Sequence, residues 1–317
     1  MKKNLITGGL GFVGVNLARE LISKGESVVL FDIMTQSPFI ADIRNQLKIV
    51  QGQLGNWAEV LEVVHSEKID SVFHLGAMIT MPAEKNPWAA YMTNMNGLYN
   101  ILEAARHFDV KEIIWPSGIA VYSPGVSEVV NEDTYESNPS QIYAVSKIFG
   151  ERLGEYYHQK FGLNFRSPSF PAICGPGRRE GLAAYASVIV HDPARGVPAS
   201  LPIDPTTQMP FIYIKDVVRC LIMLRDANEQ QLKRRVYSIQ GFSLNAGEMA
   251  AIVKKYIPDA VINFNSDPTI VKLAAAAPKI IDDSRARNDW GWQPKYAWEK
   301  VVEDFISEVN RHPEFYK

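Results

Sequence analysis

A chain of 317 residues with 46% hydrophobic and 21% charged residues is ordinary for a globular protein. That composition excludes disorder, collagen-like and coiled-coil descriptions of the whole chain. The formal net charge of -2 offers no basic excess to neutralise a phosphate backbone, so no nucleic-acid partner is expected.

Two cysteines, Cys174 and Cys220, make neither a disulfide framework nor a metal cage, so no metal is expected. No apolar run reaches the ~18 residues of a membrane span, so no membrane partner is expected. Lys2 and Lys3 precede a short apolar run that glycines interrupt. It reads as a first strand rather than a signal peptide, and a reducing cytoplasm is the expected location.

A strand at Leu5 and Ile6 enters a glycine turn, and a helix over 15–23 is closed by Gly25. Residues 27–31 are a buried-strand run ending at Asp32. Strands follow at 48–50 and 70–75, with helical spacing over 57–65 between them. Residues 87–108 read as one long helix, 112–115 as a strand and 140–161 as a second long helix. The next strand begins at 163–166. Strands alternating with helices of this length predict a parallel sheet covered on both faces.

The second half is less regular. Residues 173–208 read as loops around one helix, and 211–224 as strand then helix. Residues 241–256 read as a helix followed by a strand near 261–264. The alanine run 274–277 reads as helical, and 295–310 as a charged amphipathic helix. No repeat or low-complexity linker divides the chain. The expected division is a cofactor domain over 1–170, to which 211–240 return, and a substrate lobe from 171–210 and 241–317.

Thr7-Gly8-Gly9-Leu10-Gly11-Phe12-Val13-Gly14 follows a strand and opens a helix. Gly8 permits a tight turn, Gly11 lets the backbone approach a pyrophosphate, and Gly14 lets the helix pack close to the sheet. The pyrophosphate then meets free N–H groups at a helix N-terminus. Asp32 ends the second strand, where an acid accepts hydrogen bonds from a ribose diol. A carboxylate there repels a 2′-phosphate, so NAD is the expected cofactor.

Tyr143 and Lys147 stand four apart, on one face of the second long helix. An ammonium beside a phenol stabilises phenolate, which would lower the tyrosine pKa and make it a general base for a secondary alcohol. Ser117 follows the strand 112–115, at the sheet edge where ligands gather in open α/β folds. Its hydroxyl is suited to hold the substrate oxygen. His74 and Tyr122 read as structural residues.

These residues resemble the extended short-chain dehydrogenase/reductase superfamily, which includes NAD-dependent epimerases, dehydratases and L-threonine 3-dehydrogenases. Further marks of the resemblance are Phe73-His74-Leu75-Gly76-Ala77, Asn94 with Gly97, Pro116-Ser117-Gly118 and Asp289-Trp290-Gly291-Trp292. The resemblance implies a Rossmann domain with a small C-terminal substrate lobe. The cofactor set that goes with it is Gly8, Gly11, Phe12, Val13, Gly14, Asp32, Ile33, Leu54, Leu75, Gly76, Ala77, Asn94, Tyr143, Lys147, Pro171 and Ile173. Asn94 would support a proton relay; read alone, it is a helix surface amide. The substrate set is Thr80, Ser117, Gly118, Tyr143 and Tyr185. The resemblance also implies a homodimer through helices 87–108 and 140–161.

Nucleotide-sugar epimerases carry an asparagine before the proline of the loop at 171 and an arginine before the aromatic strand near 211. Here Phe170 and Met209-Pro210 stand there, and apolar residues cannot pair with a diphosphate, although Arg178, Arg179 or Arg287 could substitute. The segment 209–216 looks more like the threonine dehydrogenases, as do 96–105, 154–157, 235–239 and 282–287. Two departures stand against that branch. Gly118 replaces a threonine, and Glu180-Gly181-Leu182-Ala183-Ala184-Tyr185 replaces a threonine-rich turn. The run 171–177 with 189–193 also resembles sugar-acid dehydrogenases. The expected activity is hydride transfer from a secondary alcohol of a small polar substrate to NAD, threonine-dehydrogenase-like or sugar-acid-dehydrogenase-like. The alternatives are a nucleotide-sugar epimerase or dehydratase with tightly bound NAD, and a non-catalytic NAD-binding protein.

Overall fold

The computed structural model describes residues 2–122, 126–134 and 139–316. In chain order, β1 (Lys3–Thr7) leads through the glycine turn into α1 (Phe12–Ser23), then β2 (Ser27–Asp32), β3 (Lys48–Gln51), α2 (Trp57–Ser66) and β4 (Ser71–His74). Two short helices follow, α3 (Thr80–Lys85) and α4 (Pro87–Ala90). A π-turn over Tyr91–Asn96 then opens into α5 (Gly97–His107). The single helix expected over 87–108 is therefore interrupted. A π-turn carries one residue more per turn than the helical pattern assumes, and such bulges gather at functional sites.

Next come β5 (Glu112–Ile114), β6 (Ser117–Gly118), β7 (Val129–Val130), α6 (Ile142–Phe161) and β8 (Phe165–Phe170). The seven strands β3-β2-β1-β4-β5-β8-β12, with β12 at Val236–Ser238, form one parallel sheet, and β6 pairs with β8 beside it. The fold is a Rossmann-like α/β sheet with helices on both sides.

Alternate residues of each inner strand serve opposite faces. Leu5, Val29, Val72 and Ile113 pack under α2, α5 and α6, in one core. Ile6, Leu30, Phe73 and Ile114 point the other way, toward α1 and the C-terminal half. Burial on both faces is why these strands read as continuous apolar runs.

The remaining elements are β9 (Ala172–Cys174), α7 (Tyr185–Ala194), β10 (Ala199–Leu201), β11 (Gln208–Tyr213) and α8 (Ile214–Asp226). After β12 come β13 (Phe242–Asn245), α9 (Ala246–Tyr256), β14 (Ile262–Phe264), α10 (Pro268–Ala275), β15 (Ile280–Ile281), α11 (Ser284–Trp290) and α12 (Trp298–Arg311). The loop-rich reading of 173–208 missed β9 and β10. The helix expected from 241 begins only at Ala246, because 242–245 pair antiparallel with β11. Asn245 caps α9 in a reciprocal box with Glu248. Both cysteines are buried and unpaired. Among the described residues, no helix is long and apolar enough to cross a membrane, and no cluster of metal-ligating side chains is present.

Candidate active site

The glycine turn joins the C-terminal end of β1 to α1. Gly8 has φ +62°, and a Cβ there would lie 2.7 Å from the Gly76 Cα. A Cβ on Gly14 would lie 2.5 Å from the Gly8 carbonyl oxygen. Both positions therefore require glycine. Gly11 sits at the N-cap of α1, whose first-turn N–H groups receive no side-chain cap. An anion is the natural partner of such an end.

Asp32 is buried beside this turn. Its carboxylate accepts the Leu10 N–H (3.0 Å) and the Met34 N–H (3.0 Å). Ile33, next along, is 68% exposed. Leu54 packs so close to the β4 edge that a Cβ on Gly76 would lie 2.7 Å from its Cδ1. Leu75 and Gly76 are half-buried and Ala77 is exposed, all at the C-terminal end of β4. Phe12 and Val13 are half-buried at the start of α1. The open helix end, the missing side chains and the carboxylate on the next strand fit a dinucleotide. Gly8, Gly11, Gly14 and Asp32 are the residues suited to hold it.

Asn94 lies in the π-turn and is buried rather than a surface amide. Its Oδ1 accepts the Met78 N–H (2.8 Å), and its Nδ2 donates to the Met78 carbonyl (2.9 Å) and Ser146 Oγ (3.2 Å). It thereby ties the segment after β4 to α6, the helix of Tyr143 and Lys147. Thr80 is half-buried at the start of α3. His74 is buried, with Nδ1 2.7 Å from Thr7 Oγ1, while Nε2 has no partner among the described residues. Burial pushes its pKa down to about 3, so the ring is neutral. Tyr122 is buried and its hydroxyl donates to the Asn131 carbonyl (2.9 Å).

Lys147 is buried. Its Nζ donates to the Pro116 carbonyl (2.6 Å), next to Ser117, and lies 5.4 Å from the centre of the Tyr143 ring. The expectation that this ammonium makes the phenol acidic is reversed. Burial pushes Tyr143 up to about 12, and the charge acting against burial is Arg178. Burial likewise pushes Lys147 down to about 8, with Glu151 acting against it. Desolvation is the larger influence on each group, Lys147 being buried and Tyr143 half-buried.

Ser117 is buried and Gly118, half-buried, is fully extended. The Ser117 hydroxyl donates to Glu151 Oε1 at 2.5 Å. Glu151 was not foreseen, although it continues the stripe of Tyr143 and Lys147 by one more turn of α6. Pro171 is buried, and the half-buried Ile173 offers its carbonyl to Arg178 Nη1 (2.6 Å). Tyr185 is buried, packed edge-on against Phe211, and its hydroxyl has no partner among the described residues.

Of the three arginines weighed as anion holders, Arg179 pairs with Asp192 (3.0 Å) and Arg287 with Asp283 (2.6 Å). Arg178 is half-buried, and among the described residues it has no carboxylate at ion-pair distance. Its charge acts on Tyr143 and Cys174, and burial lowers its own pKa. Phe170 and Met209, at the positions where nucleotide-sugar enzymes carry polar groups, are buried in the core.

Residues 4–240 match the NAD dependent epimerase/dehydratase family. A mitochondrial L-threonine 3-dehydrogenase of Bos taurus is 30% identical over 309 residues, covering 96% of this chain and 81% of the relative. An uncharacterized epimerase/dehydratase of Staphylococcus saprophyticus is 31% identical over 96% of this chain and 97% of its own length. The solved GalE-like L-threonine dehydrogenase of Cupriavidus necator, in its holo form, superposes with a TM-score of 0.90. It is 29% identical over 97% of this chain and 99% of that one.

Proposed function

The chain belongs to the NAD-dependent epimerase/dehydratase family, and from that premise we propose that it oxidises a secondary alcohol on a small substrate that carries a carboxylate. A 3-hydroxy amino acid such as L-threonine is the first candidate, and a sugar acid the second. The observation that carries this reading is Arg178, a half-buried guanidinium near Tyr143 with no acidic partner in the described residues. A desolvated cation of that kind gains most from an anionic ligand. The likeness to threonine dehydrogenases supports the same substrate class.

NAD, when bound, supplies the hydride acceptor. Gly8, Gly11, Gly14 and Asp32 would hold it, with Phe12, Val13, Ile33, Leu54, Leu75, Gly76, Ala77, Asn94, Pro171 and Ile173 around it. Tyr143 takes the substrate hydroxyl proton, Lys147 keeps a cation beside the phenol, and Ser117 orients the substrate oxygen. Arg178 pairs with the carboxylate, while Thr80, Gly118 and Tyr185 border the substrate. In this reading, 1–170 with 211–240 serve the cofactor, and 171–210 with 241–317 serve the substrate. The protein works as a homodimer through the α5 and α6 faces. Its unpaired thiols suit the reducing cytoplasm.

The test is NADH formation with L-threonine, other 3-hydroxy acids and sugar acids. Tyr143→Phe should cut turnover at least about a hundredfold while NAD binding is kept. Arg178→Met should raise KM for carboxylate substrates at least about tenfold. Turnover of neutral alcohols equal to that of hydroxy acids would sink the substrate assignment.

A further inference from the structure

We propose that Glu151 is a positioning residue for the oxidation described above: its carboxyl sets the direction of the Ser117 hydrogen bond, and a polar cavity behind it exchanges protons with that carboxyl. The proposal rests on the function assigned above.

Three features of the fold meet here. Tyr143, Lys147 and Glu151 stand at successive turns of α6, so one helix face presents all three. From the sheet, Ser117 pairs in register with Ser169, and Ser169 with Ser238. Paired residues of adjacent strands project on one face, so the three serines form a row across β6, β8 and β12. Ser169 and Ser238 wall a cavity of about 470 Å³ that Glu151, Glu155 and His158 close from the α6 side. The Ser238 hydroxyl is buried with no partner among the described residues. A polar chamber of this size holds water.

Glu151 is faced on its own helix by Lys147, Arg152 and Glu155, from the sheet by Ser117, and across the cavity by Glu132, Lys233, Arg234 and Arg235, with His158 further along α6. The cations around the cavity have acids of their own. Arg152 pairs with Glu155 (2.7 Å), Arg234 with Asp133 (2.8 Å), Arg235 with Glu229 (3.2 Å) and Lys233 with Asp289 (3.2 Å). Glu132 accepts the Ser238 N–H (2.7 Å) and pairs with Arg285 (3.0 Å). Among the described residues, the hydrogen bond that Glu151 makes is the one to Ser117. Burial raises its carboxyl pKa, against the opposing pull of that bond and of Arg152.

The two protonation states do different things at the substrate. Ionised, Glu151 accepts the Ser117 hydrogen, and only lone pairs remain on Ser117 for the substrate oxygen. Neutral, Glu151 donates to Ser117 Oγ, and the Ser117 hydrogen turns to the substrate oxygen, where negative charge develops as Tyr143 takes the hydroxyl proton. The proton comes from cavity water and stays on Glu151, so none is consumed. Oxidation then needs Tyr143 deprotonated and Glu151 protonated. The rate rises with pH, then levels off above the Glu151 titration, because each gain in phenolate is matched by a loss of neutral acid.

The experiment compares kcat/KM against pH in the full chain with NAD, for wild type, Glu151→Gln, Glu151→Leu, Ser117→Ala and the Ser117→Ala/Glu151→Gln double variant. Gln donates permanently, so its profile should lose the plateau and keep rising. Leu should cost at least about tenfold in kcat with the KM for NAD unmoved, and Gln should recover most of that loss. The double variant should be no worse than Ser117→Ala within about twofold. A Gln profile of wild-type shape, or multiplicative losses, overturns the proposal. Should the wild type turn over no hydroxy acid, the substrate reading fails on its own. Isotope-edited infrared titration of the Glu151 carboxyl then decides this one: its midpoint should rise in Ser117→Ala, and an unmoved midpoint overturns the pairing.

Discussion

Lys147 is an ammonium held out of water by Trp115, whose ring centre lies 4.5 Å from Nζ, and by the Pro116 carbonyl. Its folded pKa of about 8 lies below the ordinary value of 10.5, so folding disfavours the charged form. That cost, about 3 kcal/mol, is fully present below pH 8 and disappears as pH rises from about 8 to 10.5. Lys147→Met should therefore raise Tm at pH 7 and abolish turnover, and the gain in Tm should vanish near pH 10.5. Scanning calorimetry at both pH values checks it; a lower Tm at pH 7 would mean that the two contacts outweigh desolvation. Gly118 shows the same trade-off in reverse. Its backbone is extended, and a Cβ there would meet only the Phe170 carbonyl oxygen at 3.3 Å. A side chain there is nearly accommodated, with that carbonyl giving by a few tenths of an ångström.

At the scale of elements, helix ends decide how the two halves join. The buried Arg166 of β8 donates through one nitrogen to the carbonyls of Leu224 (2.6 Å), Arg225 (2.8 Å) and Ala227 (2.7 Å), at the end of α8. A cation there satisfies carbonyls that a helix end leaves open and complements its dipole. Arg166→Met should cost about 2 kcal/mol through orphaned acceptors. Thermal unfolding should show the lower Tm with kcat unchanged, since Arg166 lies outside the proposed machinery. Asp216, fully buried at the start of α8, accepts the backbone N–H groups of Lys295 and Tyr296 and so anchors the segment leading into α12. Neither contact has a local sequence signature, because the partners lie tens of residues apart.

For the molecule as a whole, α4, the π-turn, α5 and α6 leave a band of aromatic side chains in water. Trp88 is 71% exposed, and Tyr91, Tyr99, Phe149, Tyr156 and Phe161 are exposed with it. Exposed aromatic side chains grouped in this way support the homodimer proposed above. Sedimentation should give a particle of twice the chain mass, and Tyr99→Glu with Tyr156→Glu should return it to a monomer with the fold kept. The core argues that the two halves act together. The side of the sheet facing α1 is continuous with the apolar interior of the C-terminal half, from Ile6 and Leu30 through Ile212 to Trp298 and Phe305.

Short-range spacing is what the amino-acid order determined by itself. The glycine turn, Asp32 at the end of the next strand, Tyr143 four residues before Lys147 and the strand–helix alternation all follow from geometry that repeats within a few residues, and the family could be read from them. Long-range register was decided only by the tertiary structure. Ser117 meets Glu151 across 34 positions, the three serines align only once β6, β8 and β12 lie side by side, and Arg178 comes near Tyr143 through the turn after β9. The pKa order of the Tyr–Lys pair is of the same kind. Charge proximity can be inferred from a helix face, but desolvation depends on what the rest of the chain packs around it, and here desolvation is the larger effect.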